Sequence, residues 1–286
     1  MKQINKNIYR LFLVVACAMI WCFSGCEKIE DPYYTIDPEP RDTLSAESFK
    51  KVLLEDYTGM LCINCPAAAR LAEEIAAASR HRVIVMAVHA GELAKPQNPP
   101  FDLDLRCPEG LAYFKDFNLT GNPMGVINRI QRSSGIFQYS SSEWAKAIEA
   151  ELQTPMTFKL KVEGSLIDNG TAINAKITYT ATTETAIEYN LLVFLVEDGI
   201  IGWQKDGSNI DKEYVFHNVL RETLHGDAHY GIPIEKPVAG VEKTYQFDNY
   251  KIKSIDKKAE NSTYKLIVTI TQRDSRYIEQ VEMSEL

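Results

Sequence analysis

The apolar positions change period several times between residues 50 and 155. The run Val52-Leu53-Leu54 opens a strand-like stretch over 50–58, and the residues that follow the Cys-Ile-Asn-Cys at 62–65 are alanine-rich and read as a helix over 66–80. Residues 83–88, Val-Ile-Val-Met-Ala-Val, are apolar without alternation, the pattern of a strand buried on both faces. Strand, helix and strand in that order predict a βαβ unit with parallel strands and a right-handed crossover. Residues 91–109 carry prolines without a period and read as an irregular insertion. A short helix is predicted over 110–118, a turn at Gly121-Asn122-Pro123 and a further strand over 125–130. Ser140 and Glu143 have capping-box spacing, and Trp144, Ile148 and Leu152 then recur every fourth residue on one helix face.

Beyond Pro155 the pattern becomes that of strands. Residues 156–166, 171–182, 188–198, 243–252 and 263–273 alternate or run β-branched and are separated by Asp, Asn, Gly and Lys turns. Residues 214–224 fit neither period cleanly. This spacing predicts an antiparallel sandwich. The expected organisation is a leader over 1–25, a tether over 26–44, an α/β domain over 45–153 and an all-β domain over 154–286.

The leader follows from the first residues. Lys2, Lys6 and Arg10 precede an apolar run over 11–23, which is shorter than the roughly 20 residues that span a bilayer. Phe23-Ser24-Gly25-Cys26 then resembles the bacterial lipoprotein box, which implies lipid on Cys26 and attachment of the chain to a membrane through it. Residues 27–42 are acidic and proline-bearing, as in an extended tether. The formal net charge is −8, and loss of residues 1–25, with three positive charges and no negative one, makes it −11. An acidic chain without a basic run argues against a nucleic-acid partner.

Cys62, Cys65 and Cys107 are the cysteines left for chemistry once the leader and Cys26 are set aside. The CxxC has three readings: a redox pair, part of a metal site, or a short-loop structural disulfide. The N-terminus of a helix lowers a thiol pKa, so Cys62 is expected to be the more exposed, attacking thiol and Cys65 the resolving one. Pro66 is compatible with the first helical turn. A metal site needs four ligands, and only Cys107 and a histidine such as His89 are at hand, so no metal is expected. The spacing of His225 and His229 is helical, but Gly226 and Gly231 weaken a metal pair there, and with His217 they make no site. Trp203 reads as core or a loop anchor. No cofactor-binding motif is present.

Residues 53–66, LLEDYTGMLCINCP, are similar to the strand, loop and CxxC of thioredoxin-like proteins, and residues 117–129, FNLTGNPMGVINR, look like the segment that carries their cis-proline. The resemblance implies that Pro123 is cis and lies against the CxxC, and that Asp56 is the buried carboxylate that handles the proton of the resolving cysteine, with Glu55 as the alternative if the register slips. Ile63-Asn64 departs from the family's usual dipeptides, which leaves the redox direction open. The lipoprotein box, the Glu-Asp-Tyr-Thr-Gly…Cys…Asn-Cys-Pro run and the β-rich remainder together resemble the outer-membrane lipoprotein family first described as a protein of twenty-eight kilodaltons. That resemblance implies a thioredoxin-like domain joined to an immunoglobulin-like all-β sandwich, at the periplasmic face of the outer membrane or at the cell surface. Two functions follow as expectations: thiol–disulfide exchange with a protein partner through Cys62 and Cys65, or binding of a surface ligand by a non-catalytic lipoprotein whose CxxC is a staple.

Overall fold

In the computed structural model, residues 49–133, 135–226, 228 and 230–286 are described. The expected leader, the expected lipidation site Cys26 and the expected tether lie outside them, as does His229. The βαβ expectation holds: β1 (Val52–Thr58) and β2 (Val83–His89) are parallel and in register from Val52↔Val83 to Thr58↔His89, joined by α1 (Cys65–Ala78). The insertion that follows has one short turn of helix at Glu92–Ala94, and α2 spans Pro108–Asp116. β3 (Met124–Ile127) runs antiparallel to β1 and is shorter than expected, because Asn128 and Arg129 turn into left-handed backbone conformation. After β4 (Gln138–Tyr139), the capping box between Ser140 and Glu143 starts α3 (Ser141–Leu152), which buries Trp144 and Ile148.

The second half is built from strands. β5 (Phe158–Ile167), β6 (Ala172–Ala181) and β12 (Glu242–Lys251) form a three-stranded sheet in the order β12-β6-β5. β7 (Tyr189–Asp198), β10 (Val219–Thr223), β13 (Thr263–Gln272) and β14 (Ile278–Glu285) join a larger sheet, and the short β11 (Ile232–Pro233) flanks β7. The uncertain stretch 214–224 therefore contains a strand, β10. β8 (Ile200–Asp206) and β9 (Asn209–Phe216) form a separate hairpin.

The larger sheet runs β14-β13-β7-β10-β2-β1-β3-β4. The expected boundary at residue 153 falls at the end of α3, yet strands from both sides of it share this one sheet through the parallel pairing Val219↔Ala87. One face is covered by α2 over a core in which Leu53, Tyr57, Met86, Tyr113 and Phe117 meet Phe194, Leu220, Ile267 and Val281. On the other face, α1 and α3 cover β1–β3, and the three-stranded sheet covers β7 and β13 through Phe158, Ile177, Leu191, Val193, Leu266 and Val268. Strand β7 is buried on both sides for this reason. The result is a mostly β protein of several sheets.

Candidate functional site

Alternation along β1 sorts its two carboxylates onto opposite faces. Glu55 points into the α2 side, where its carboxylate receives Arg129 Nε at 2.7 Å and the Tyr57 hydroxyl at 3.0 Å. Arg129 is buried with it and stacks over the Tyr113 ring, 4.5 Å from its centroid. Asp56 faces α1 and lines a cavity of about 60 Å³ together with Thr58, Cys65, Ala87, His89, Gln204 and residues 214–218. Of the two carboxylates weighed from the sequence, the register therefore brings Asp56, and not Glu55, to the CxxC side.

Burial sets the chemistry of this cavity. Asp56 is buried, its Oδ1 has no hydrogen-bond partner, and desolvation raises its pKa to about 7. His89 is buried with both ring nitrogens unpartnered, and its ring edge meets Phe216 at 5.4 Å between centroids. Desolvation, with Arg221 as the next cause, lowers its pKa to about 3. Tyr214 is raised to about 12, first by burial and then by Asp56. Orphaned polar atoms around a small void are the setting in which ordered water is held.

Cys62 and Cys65 form a disulfide with Cα atoms 5.4 Å apart. Cys65 is the first residue of α1, with Pro66 in the first turn. The expectation that Cys62 is the more exposed thiol does not hold: each cysteine is 2 % exposed, while Ile63 between them is 50 % exposed. The cause is the β8–β9 hairpin, which lies over the loop. Lys205 N–H donates to Met60 O at 3.0 Å, Gly207 N–H to Ile63 O at 2.8 Å, and the Gln204 side-chain amide to Cys62 O at 3.0 Å. Met60 and Leu61 pack with Phe101, Leu105, Ile200 and Phe216 in a small core of their own, against which Trp203 rests.

The Asn122–Pro123 bond is cis, and the pairing Tyr57↔Met124 sets Pro123 opposite Thr58, at the end of β1 from which the CxxC loop leaves. Cys107 is elsewhere: it caps α2 by accepting from Gly110 N–H at 3.3 Å, sits in the core beneath α2, and burial pushes its thiol up to about 12. His217 pairs with Asp198 at 3.1 Å, and His225 Nε2 meets Val193 N–H at 3.2 Å, so each has a structural partner. Among the described residues, no group of three or more His, Cys, Asp and Glu side chains is disposed to hold a metal. Sequence reading missed the hairpin and Gln204, although Asp206-Gly207 between two alternating runs is a hairpin signal.

The model of the family described as outer membrane protein Omp28 matches residues 111–286. The chain belongs to this family. Membership makes it an outer membrane protein, and among the described residues no helix is long and apolar enough to cross a membrane. The family match begins after the CxxC. Fold similarity reaches further: HBP35 of Porphyromonas gingivalis is 14 % identical, with a TM-score of 0.59 over 83 % of this chain and 76 % of its own. A protein of Agrobacterium tumefaciens is 11 % identical, with a TM-score of 0.51 over 83 % and 94 %. A domain of the outer membrane lipoprotein Omp28 from Porphyromonas gingivalis, 15 % identical, covers 46 % of this chain and 90 % of its own with a TM-score of 0.30. Among curated proteins none matches.

Proposed function

We propose that this outer membrane protein is tethered by lipid on Cys26 and carries out thiol–disulfide exchange through Cys62 and Cys65. Its first half is a thioredoxin-like arrangement, and its second half contributes an immunoglobulin-like pair of facing sheets that share a strand system with it. The observation that carries the reading is Asp56: a buried carboxyl without a hydrogen-bond partner on Oδ1, shared with Cys65 on one cavity and titrating near neutrality. A structural disulfide has no use for such a group, whereas a resolving thiol needs a base beside it.

In the reduced protein, the Cys62 thiolate attacks one sulfur of a partner disulfide and the other partner sulfur leaves as thiolate. Cys65 then gives its proton to Asp56 and its sulfur attacks Cys62, closing the Cys62–Cys65 bond and releasing the second partner sulfur. Two electrons pass to the partner, and the reverse sequence oxidises a dithiol. Pro123 stands at the loop to orient the incoming chain.

A second reading rests on the 2 % exposure of both cysteines: a staple within a non-catalytic binding or adhesion lipoprotein. Cys65→Ser separates the two. Exchange predicts mixed disulfides on Cys62, recovered from envelope extracts and resolved by reductant. A staple predicts none, with a modest loss of thermal stability as the main effect.

A further inference from the structure

The β8–β9 hairpin holds the CxxC loop partly through its backbone, in a manner that does not depend on its own sequence. Two backbone N–H groups two residues apart, those of Lys205 and Gly207, pair with carbonyls of Met60 and Ile63, as an extended strand of any composition could. The side chain that adds to them is the buried Gln204, whose amide reaches Cys62 O and, at 3.4 Å, Gly59 O. At the tip an exposed ion pair links Asp206 to Arg70 of α1 at 3.2 Å.

The interface beneath the hairpin is poorly sealed. Asp56 Oδ1, both His89 ring nitrogens and Asn218 Oδ1 are buried without partners around the cavity that separates hairpin from sheet. Desolvating them opposes closure, and lifting the hairpin returns them to water. At the root of the hairpin the chain passes through left-handed backbone on both sides, at Gly199 (φ 84°) and Asn218 (φ 47°). Below that root, Asp198 fixes the base by accepting from Asn218 N–H and pairing with His217 and Lys265.

We propose that the β8–β9 hairpin is an intramolecular occupant of the exchange surface, standing where an extended, cysteine-bearing segment of a partner polypeptide docks. It lifts about Gly199 and Asn218 to admit that segment. This rests on the thiol–disulfide reading above. In the closed state neither sulfur can be reached. In the open state Cys62 meets the partner sulfur, while the carbonyls of Met60 and Ile63 become free to receive the partner's backbone N–H groups. The loop and hairpin carry exposed apolar side chains, Ile63 on the first and Ile201, Ile210 and Val215 on the second.

The test uses the full chain, oxidised at Cys62–Cys65, with dithiothreitol in excess as the electron donor, and follows appearance of the two thiols by alkylation and mass. Opening of the hairpin predicts a reduction rate that is nearly independent of low denaturant, and amide exchange at Lys205 and Gly207 much faster than at Val193 and Val268. Gln204→Ala is expected to raise the reduction rate about tenfold, the effect of losing one buried hydrogen-bonded group on an opening equilibrium. A reduction rate that climbs with denaturant as steeply as global unfolding, with Lys205 and Gly207 exchanging only in that process, overturns the proposal. That wild-type measurement decides the matter even if Gln204→Ala fails to fold. If Gln204→Ala is reduced faster while Cys65→Ser, alone or combined with it, traps no partner, the hairpin moves but the exchange function and its docking segment fall.

Discussion

Asp56 and His89 share a cavity, and burial moves their pKa values in directions that oppose each other in the stability of the protein. Folded Asp56 keeps its proton up to about pH 7, whereas the unfolded chain releases it near 3.8, so its contribution falls as pH rises from 3.8 to 7. Folded His89 stays neutral down to about pH 3, whereas the unfolded chain takes up a proton near 6.5, so its contribution falls as pH drops from 6.5 to 3. Between 3.8 and 6.5 the two offset each other. Denaturant midpoints measured across this window check it. Relative to wild type, Asp56→Asn is expected to lose stability on acidification and His89→Leu to gain it, each with a slope approaching about 1.4 kcal/mol per pH unit. Parallel curves for all three proteins would refute the burial argument. Asp56 was legible through the family resemblance, with Glu55 left open: strand period sets the two carboxylates on opposite faces, and only the register of β1 decides that Asp56 is the one on the helix side. The orphaned His89 was not, since its isolation depends on Phe216 and Asn218, over a hundred residues away.

At the scale of elements, what was legible followed local rules. The β1–α1–β2 unit, the α3 capping box and the five long strands of the second half obey a single period each. Two of the elements that escaped, β10 and β14, bury polar residues. β10 holds Arg221, Glu222 and Thr223 in buried positions, and β14 holds Glu279 and Gln280. Their partners come from afar: Arg221 lies 3.1 Å from Glu197, and the Gln280 carboxamide oxygen receives Lys51 N–H at 2.8 Å. No window on the sequence contains both members of such a pair. Packing of α3 on β3 supplies a prediction. A Cβ on Gly125 would fall 2.3 Å from Trp144 Nε1, whose N–H is committed to Tyr139 O at 3.1 Å. Gly125→Ala is therefore expected to cost about 1–3 kcal/mol by overpacking, read as a lower melting temperature, with Gly121→Ala, which meets nothing within 4 Å, as the near-neutral control.

The whole molecule is more interleaved than two domains in series. The core beneath α2 draws Leu53, Met86 and Tyr113 from the first half and Phe194, Leu220, Ile267 and Val281 from the second. The last strand is stitched to the start of the described chain, with Lys50 Nζ on Glu279 O at 2.6 Å and Gln280 Nε2 on Phe49 O at 2.9 Å. A fragment ending at residue 153 would leave the β2 edge unpaired and this core half-filled. Such a fragment is expected to show no cooperative melting transition by circular dichroism. A sharp transition with a dispersed NMR spectrum would show that the first half folds alone.

The cover over Cys62 and Cys65 has a temporal meaning. Residues 200–216 are synthesised well over a hundred residues after the cysteines they enclose, so a chain delivered amino end first presents the two sulfurs naked to whatever oxidant or isomerase it meets. Once the later segment settles, the pair changes state only while the hairpin is lifted. The state acquired during export therefore persists between openings, and the frequency of opening sets how soon a molecule forgets it.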